Sequence, residues 1–125
     1  MISFDCFTPR EGIPIYLQIV LHIKRGIATQ EICDGDELPS RRVLSALLGV
    51  NPNTVQKAYR QLEEENLVIS AQGSKSNMRL TEEVVSNIRK ELLLTDVSDA
   101  VLSLKQLGIS MEEAVVLLQK LWGEV

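Results

Sequence analysis

Residues 38–68 read LPSRRVLSALLGVNPNTVQKAYRQLEEENLV and decide the fold, because they contain the start and stop signals of two successive helices. Ser40 is a good N-cap for the first helix, which ends at Gly49, since glycine readily adopts the left-handed conformation that follows a helix. Asn51 and Pro52 begin the second helix, because asparagine caps helices and proline at the first helical position loses no hydrogen bond. The apolar residues of the second helix share one face: Val55, Ala58, Tyr59 and Leu62. The stretch therefore predicts two short helices joined by a tight turn.

An amphipathic helix is predicted before this stretch and a hairpin after it. Within residues 14–29 an isoleucine recurs every four positions, at Ile15, Ile19, Ile23 and Ile27. Asn66 is expected to end the second helix of the quoted stretch, because asparagine tolerates the left-handed conformation better than most residues. Residues 67–69 and 77–80 are predicted to be short strands, with a turn at 71–74. This order of elements is typical of a winged helix-turn-helix.

The remaining chain, residues 81–125, is predicted to be helical. Thr81 with two following glutamates favours a helix start, and Ser110 with Glu113 forms a capping box before the last helix. Apolar residues at helical spacing are more numerous than one neighbouring helix would need, and those expected to meet a second copy are Val97, Val101, Leu104, Leu107, Leu118, Leu121 and Trp122. The predicted fold class is mainly α with a small β hairpin. It consists of a winged helix-turn-helix DNA-binding domain at 1–80 and a C-terminal helical dimerisation tail at 81–125.

The distribution of charge decides which partners the chain can attract. The net charge is -4, but the region from Leu38 to Leu62 contains four basic residues and no acidic one. The acidic excess lies in the tail, where 81–125 holds four Lys or Arg against eight Asp or Glu. Because salt screens exposed charges beyond about 10 Å, the local patch and not the total determines whether phosphates are attracted.

Several other classes of protein are disfavoured by the sequence. Hydrophobic residues make up 45% and charged residues 24%, as in an ordinary globular protein, and no apolar run approaches the roughly 20 residues that span a bilayer. No signal peptide is recognisable at the start, so a cytoplasmic location without membrane association is expected. Cys6, Cys33 and the single His22 do not have the spacing of a disulfide framework or a metal site, so neither a metal nor a cofactor is expected.

The quoted stretch also carries a family resemblance. A Leu-Pro-Ser-x-Arg segment, a Val-Asn-x-x-Thr-Val turn and an Ala-Tyr-x-x-Leu-Glu helix occur together in that order. With the preceding PIYLQIVLHIKRGI and the following AQGS, this pattern resembles the DNA-binding domain of the GntR family of bacterial regulators over about seventy residues. The short helical tail resembles that of the YtrA-like subgroup, whose tails are associated with dimerisation.

The resemblance implies a set of DNA contacts on the two helices. Arg42 would contact DNA from the helix that follows Ser40, and Asn53, Thr54 and Gln56 or Lys57 from the recognition helix, while Ser40 and Arg41 are expected near the backbone. These polar side chains suit base edges and phosphates, although periodicity alone also fits an ordinary polar helix face with a cap.

The resemblance also implies a contact by the hairpin tip. The family usually has a basic, glycine-rich tip that reaches the minor groove. This chain keeps Gly73 but lacks the second glycine, and Lys75 is expected to supply the charge. Asn66 stands where the family usually has glycine.

These implications predict a sequence-specific transcriptional regulator, by family default a repressor, that binds a palindromic operator in double-stranded DNA as a homodimer. One recognition helix reads few base pairs, so specific binding generally requires two half-sites.

Two alternative functions belong to other classes of protein. An enzyme would need a nucleophile, phosphate or metal motif that the sequence lacks, and Glu63, Glu64 and Glu65 are expected to form a solvated helix face. A winged helix that binds protein instead of DNA would need an acidic or apolar surface between Leu38 and Leu62. A small-molecule effector is compatible with the sequence, but its identity cannot be predicted.

Overall fold

The computed structural model describes residues 1–70 and 75–125, and the described residues form five helices and three strands. In chain order these elements are α1 (Ile15–Ala28), β1 (Glu37–Leu38), α2 (Arg41–Leu48), α3 (Pro52–Glu64), β2 (Val68–Ser70), β3 (Ser76–Met78), α4 (Glu82–Gln106) and α5 (Met111–Trp122). The helix-turn-helix predicted from residues 38–68 is confirmed as α2 and α3.

Capping side chains and one glycine set the boundaries of α2 and α3. The Ser40 hydroxyl accepts a 3.2 Å hydrogen bond from the Val43 amide at the start of α2, and the helix ends at Gly49, whose φ of 65° places it in the left-handed region. The Asn51 side chain accepts a 2.8 Å bond from the Asn53 amide at the start of α3. Each cap satisfies a backbone donor that the helix leaves unpaired, which is why both helices begin where the sequence predicts.

The core lies where α3 packs against α1 and α2. Its fully buried side chains include Ile19, Ile23, Ile27, Leu44, Val55, Tyr59 and Leu62. The Tyr59 hydroxyl donates a 2.6 Å hydrogen bond to the Pro39 carbonyl, so the segment before α2 is tied to the middle of α3. The orientation of α3, and therefore of any surface at its N-terminal end, is fixed by this core.

The hairpin belongs to a three-stranded antiparallel sheet in the order β1-β3-β2. Strand β1 pairs Glu37 with Asn77 and Leu38 with Ser76, and it was not predicted, because two residues directly before Pro39 are too few to show an alternating pattern. The predicted strands at 67–69 and 77–80 are each displaced, to Val68–Ser70 and Ser76–Met78. The turn predicted at 71–74 lies outside the described residues.

The segment before α1 is also part of the fold. Ile2 and Phe4 are buried, and the Ile2 amide donates a 2.8 Å hydrogen bond to the Glu37 carbonyl. The Gln18 side chain accepts from the Arg10 amide at 2.8 Å and donates to the Arg10 carbonyl at 2.9 Å. The first thirteen residues are therefore held against α1, a feature that the sequence pattern did not indicate.

The structure divides into two compact units, Met1–Arg89 and Lys90–Val125. Helix α4 is continuous through Thr95, whose hydroxyl donates a 3.0 Å hydrogen bond to the Glu91 carbonyl and so remains compatible with a helix interior. Helix α5 begins at Ser110, which accepts a 3.2 Å bond from the Glu113 amide as the capping box predicts. Across the described residues, no helix combines the length and the apolar character needed to cross a membrane.

Candidate nucleic-acid interface

The N-terminal end of α3 presents the polar side chains predicted to contact DNA. Asn53 and Lys57 are exposed, and Thr54 and Gln56 are half-buried. Asn51 is also exposed, but its side-chain oxygen is occupied by the cap that begins the helix. The structure therefore brings four of the predicted recognition-helix residues into two successive turns of one helix end.

Two arginines beside these residues are available for an external anion. Arg42 in α2 and Arg60 in α3 are exposed, and within the part of the chain that the structure describes neither makes a hydrogen bond or an ion pair. Arg42 was predicted to contact DNA. Arg60 was counted in the local basic patch but was not named as a contact.

Arg41, the neighbour of Arg42, is engaged within the protein. Its Nη2 atom lies 2.9 Å from Glu63 Oε1, and its guanidinium carbon lies 5.3 Å from the centroid of the Tyr59 ring. Its Nε is buried without a hydrogen-bond partner among the described atoms. The side chain predicted to touch the DNA backbone therefore faces the end of α3.

Lys57 is also oriented by a neighbouring side chain. Its Nζ lies 4.1 Å from the centroid of the Tyr16 ring in α1, within the range of a cation–π interaction. The Lys57 side chain remains exposed, so its N–H groups can still reach an anion. The sequence pattern did not predict that Tyr16 lies beside the recognition helix.

Two of the three glutamates at the C-terminal end of α3, which were predicted to form a solvated helix face, are paired with cations. Glu63 pairs with Arg41, and Glu65 Oε1 lies 2.7 Å from Nζ of the buried Lys24. Glu64 is exposed. Because two of the three carboxylates have cationic partners, the negative charge at the end of α3 is partly neutralised.

The remaining predicted DNA-binding residues occupy different positions. Ser40 caps α2 with its hydroxyl and is half-buried, while Lys75 is exposed directly before β3. Gly73 lies outside the described residues. The structure therefore places Lys75 between residues 71–74 and the first residue of β3.

The second unit exposes a large amount of apolar surface. None of residues 90–125, all of which the structure describes, is buried. The residues predicted to dimerise are exposed, with Leu107 at 76% and Trp122 at 82%, except that Leu104 is half-buried. Two helices of this length cannot bury so many apolar side chains between themselves.

A groove of about 460 Å³ lies within the first unit beside the start of α4. Its floor includes Ile27, Ile32 and Leu80, and Cys33 and Arg89 also line it. Asp34, another lining residue, already accepts a 2.7 Å hydrogen bond from the Leu80 amide. The groove offers space for a small molecule, and its lining also includes the polar residues Gln30, Thr81, Glu82 and Ser86.

Comparison with known proteins agrees with this fold and surface. Residues 15–76 match the sequence profile of the bacterial regulatory proteins of the gntR family. The HTH-type transcriptional repressor YtrA of Bacillus subtilis (strain 168) is 35% identical over 121 residues, which are 97% of this chain and 86% of YtrA. The uncharacterised HTH-type regulator YhcF of the same organism is 33% identical over 100 residues, or 80% of this chain and 83% of YhcF.

The fold has a similarly close match among solved structures. A GntR family transcriptional regulator from Listeria monocytogenes superposes with a TM-score of 0.79 at 28% identity, covering 90% of this chain and 98% of that protein. The similarity to YtrA includes the helical tail as well as the region that the family profile matches.

Proposed function

Because the chain belongs to the gntR family of bacterial regulatory proteins, in its YtrA-like subgroup, we propose that it represses transcription by binding a palindromic operator as a homodimer. Members of this family are helix-turn-helix transcriptional regulators, and one relative of matching length is named as a repressor. Repression, the operator symmetry and the dimer belong to the proposal.

The observation that carries the proposal is the surface at the start of α3. Exposed Asn53 and Lys57 lie at the end of the helix that enters the major groove in helix-turn-helix proteins. Arg42 and Arg60 are exposed without a partner among the described residues, and no acidic residue occurs between Leu38 and Leu62. A duplex phosphate would therefore meet cations whose charge is not already neutralised.

Each side chain has a distinct proposed role. Asn53, Thr54 and Gln56 contact base edges, because amide and hydroxyl groups can form paired hydrogen bonds there. Arg42, Lys57 and the backbone beside Ser40 hold phosphates and set the register of the helix. Lys75 and, as the family resemblance implies, Gly73 contact the minor groove beside each half-site.

The second unit supplies the proposed dimer contact. Most apolar residues from Val97 to Trp122 are exposed and would be buried against a second copy, which supports the proposed dimer. A twofold dimer presents two recognition helices to half-sites related by the same symmetry, about 34 Å apart or a multiple of that distance. The proposed DNA-binding module is 1–80 and the proposed dimerisation module is 81–125.

Selection of bound sequences from random duplex DNA tests the proposal. We expect an inverted repeat bound by two chains, with an affinity that falls steeply as salt increases. Arg42→Ala should weaken binding to the selected operator and reduce the salt dependence. Lys120→Ala removes the same charge from an exposed position of α5, on the side away from Leu118 and Trp122, and serves as the matched control. A protein that enriches no sequence and binds no duplex in a salt-dependent manner would contradict the proposal.

A further inference from the structure

We infer that Arg41 is a positioning residue that connects α2, α3 and the Ser70–Ser76 strand pair of the hairpin through Glu63, and that it does not hold a DNA phosphate. This inference rests on the proposed function, since it concerns how α2 and the hairpin, both proposed to contact DNA, are aligned with each other. It also separates the roles of two adjacent arginines, Arg41 and Arg42, that the sequence presents as equivalent.

The surroundings of Arg41 restrict its side chain. Nη2 donates to Glu63 Oε1 at 2.9 Å, and the guanidinium lies over the ring of Tyr59, which is 1% exposed. The Arg41 and Glu63 side chains are 27% and 34% exposed, so solvent weakens their attraction less than that of a fully exposed pair. To reach a phosphate, Arg41 would have to leave Glu63 with one fewer partner and lose its packing on Tyr59. The exposed Arg42 has no such cost.

The same carboxylate oxygen continues the connection into the sheet. The Ser70 hydroxyl donates to Glu63 Oε1 at 2.5 Å, and Ser70 Oγ lies 3.4 Å from Oγ of the fully buried Ser76. Ser70 is the last residue of β2 and Ser76 is the first of β3, and their Cα positions are paired in the sheet. Glu63 therefore joins Arg41 at the start of α2 to the end of β2 and the start of β3.

This connection has a consequence for DNA binding. Arg42 lies beside Arg41 in α2, and Lys75 lies directly before Ser76. If Arg41 and Glu63 fix the start of α2 relative to Ser70 and Ser76, they fix the spacing between the phosphate contact proposed for Arg42 and the minor-groove contact proposed for Lys75. Small displacements of these DNA-contacting side chains greatly reduce the binding free energy that each contact contributes, because all of them must fit the duplex at the same time.

A double-mutant cycle on the selected operator tests the inference. Arg41→Met keeps most of the side-chain volume, and Glu63→Ala removes the carboxylate, which is itself repelled by phosphates. We expect each variant to weaken operator binding by about 3- to 30-fold, and the double variant to be no weaker than either single one. The slope of log affinity against log salt should remain that of the unsubstituted protein in all three. The matched control is Glu64→Ala, which removes the same charge from the adjacent exposed position and should not weaken binding.

The opposite pattern would overturn the inference. If Arg41 holds a phosphate, Arg41→Met alone should lower the salt slope by about one for each arginine removed, or about two per dimer. Glu63→Ala should then leave affinity unchanged or raise it. If the unsubstituted protein binds no duplex, the proposed function itself is refuted. Failure of the inference about Arg41 is therefore distinguishable from failure of the proposed function.

A second double-mutant cycle, of Ser70→Ala with Lys75→Ala, uses a smaller substitution than those at Arg41 and Glu63 and tests the position of the hairpin. Ser70→Ala removes only one hydroxyl, and urea unfolding followed by circular dichroism shows whether each variant is folded. We expect Lys75→Ala to weaken operator binding less in the Ser70→Ala background than in the unsubstituted protein, because the hairpin is already displaced. Equal effects of Lys75→Ala in both backgrounds would contradict the connection, even if Arg41→Met and Glu63→Ala did not fold.

Discussion

Lys57 Nζ of the recognition helix lies 4.1 Å from the centroid of the Tyr16 ring in α1. The contact joins the helix proposed to enter the major groove to a helix that packs against it through the core. A lysine on a flexible stem loses considerable side-chain entropy when it binds a phosphate. The aromatic ring restricts that freedom before DNA arrives, so Tyr16 should favour binding without touching the duplex.

Replacement of Tyr16 tests this role. Tyr16→Leu removes the ring, and we expect operator affinity to fall by about two- to fivefold, corresponding to about 0.5–1 kcal/mol for an exposed cation–π contact. Tyr16→Phe keeps a ring and should bind nearly as well as the unsubstituted protein. Fluorescence anisotropy with labelled operator measures both. An equal loss in Tyr16→Phe and Tyr16→Leu would indicate that the hydroxyl, and not the ring, is responsible.

The sequence predicts the helices well because their signals are local. Ser40, Gly49, Asn51 and Pro52 each determine a helix end through their own chemistry, and all four act at the predicted positions. The family resemblance likewise depends on short segments with fixed spacing. By contrast, strand β1 exists only because the returning β3 provides a partner, so no pattern within residues 37–38 could indicate it.

The partners of the charged residues could not be predicted in the same way. Arg41 and Arg42 are adjacent and chemically identical, yet successive helical residues point about 100° apart, so one faces Glu63 and the other faces solvent. Lys24 and Glu65 are 41 positions apart and meet only after α1 packs against α3. Long-range pairs of this kind depend on the tertiary arrangement, and the sequence supplies only the residue types.

The buried hydroxyl of Tyr59 should contribute measurably to stability. Tyr59→Phe leaves the ring in the core but removes the donor to the Pro39 carbonyl, and Pro39 is itself buried. We expect the free energy of unfolding to fall by about 1–2 kcal/mol, because an acceptor is left without its partner. Urea unfolding at pH 7 measures this change. An unchanged urea concentration at the unfolding midpoint would mean that a water molecule donates to the Pro39 carbonyl in place of the lost hydroxyl.

The same residue should make stability sensitive to alkaline pH. Burial raises the pKa of Tyr59 well above its ordinary value, and the positive charge of Arg41 offsets only part of this rise. The neutral phenol is therefore favoured in the folded state, and its contribution is complete below about pH 10 and is lost as the pH rises further. Between pH 10 and 11 the stability advantage over Tyr59→Phe should shrink by up to about 1.4 kcal/mol. An advantage that stays constant across this interval would contradict the assignment.

Asn66 occupies a strained backbone position that glycine would relieve. Its φ is 60°, and its amide donates a 2.9 Å hydrogen bond to the Glu63 carbonyl as α3 ends. Asn66→Ala should destabilise the protein by about 1 kcal/mol, because a Cβ without a compensating polar group is disfavoured there. Asn66→Gly should be neutral or stabilising. Thermal and urea unfolding of the two variants give the comparison, and equal stability of both would show that the conformation is not strained.

The proposed dimer makes a prediction for one face of α4. Val97 and Val101 are about half exposed and lie on the same side of the helix, so a second copy would bury both. Val101→Glu should therefore raise the dimer dissociation constant by at least about tenfold, since an unpaired carboxylate would be placed in an apolar contact. Gln106→Glu introduces the same charge at an exposed position on the opposite side of α4 and should leave the dimer intact.

Sedimentation equilibrium over a range of protein concentrations measures the dissociation constants of these variants. Operator binding should weaken in parallel for Val101→Glu, because a monomer has one recognition helix and loses the gain from simultaneous contact with two half-sites. Binding to nonspecific duplex should fall much less, since the charged surface between Leu38 and Leu62 is unchanged in each protomer. If Val101→Glu and Gln106→Glu dissociate equally, the dimer contact does not lie on this face of α4.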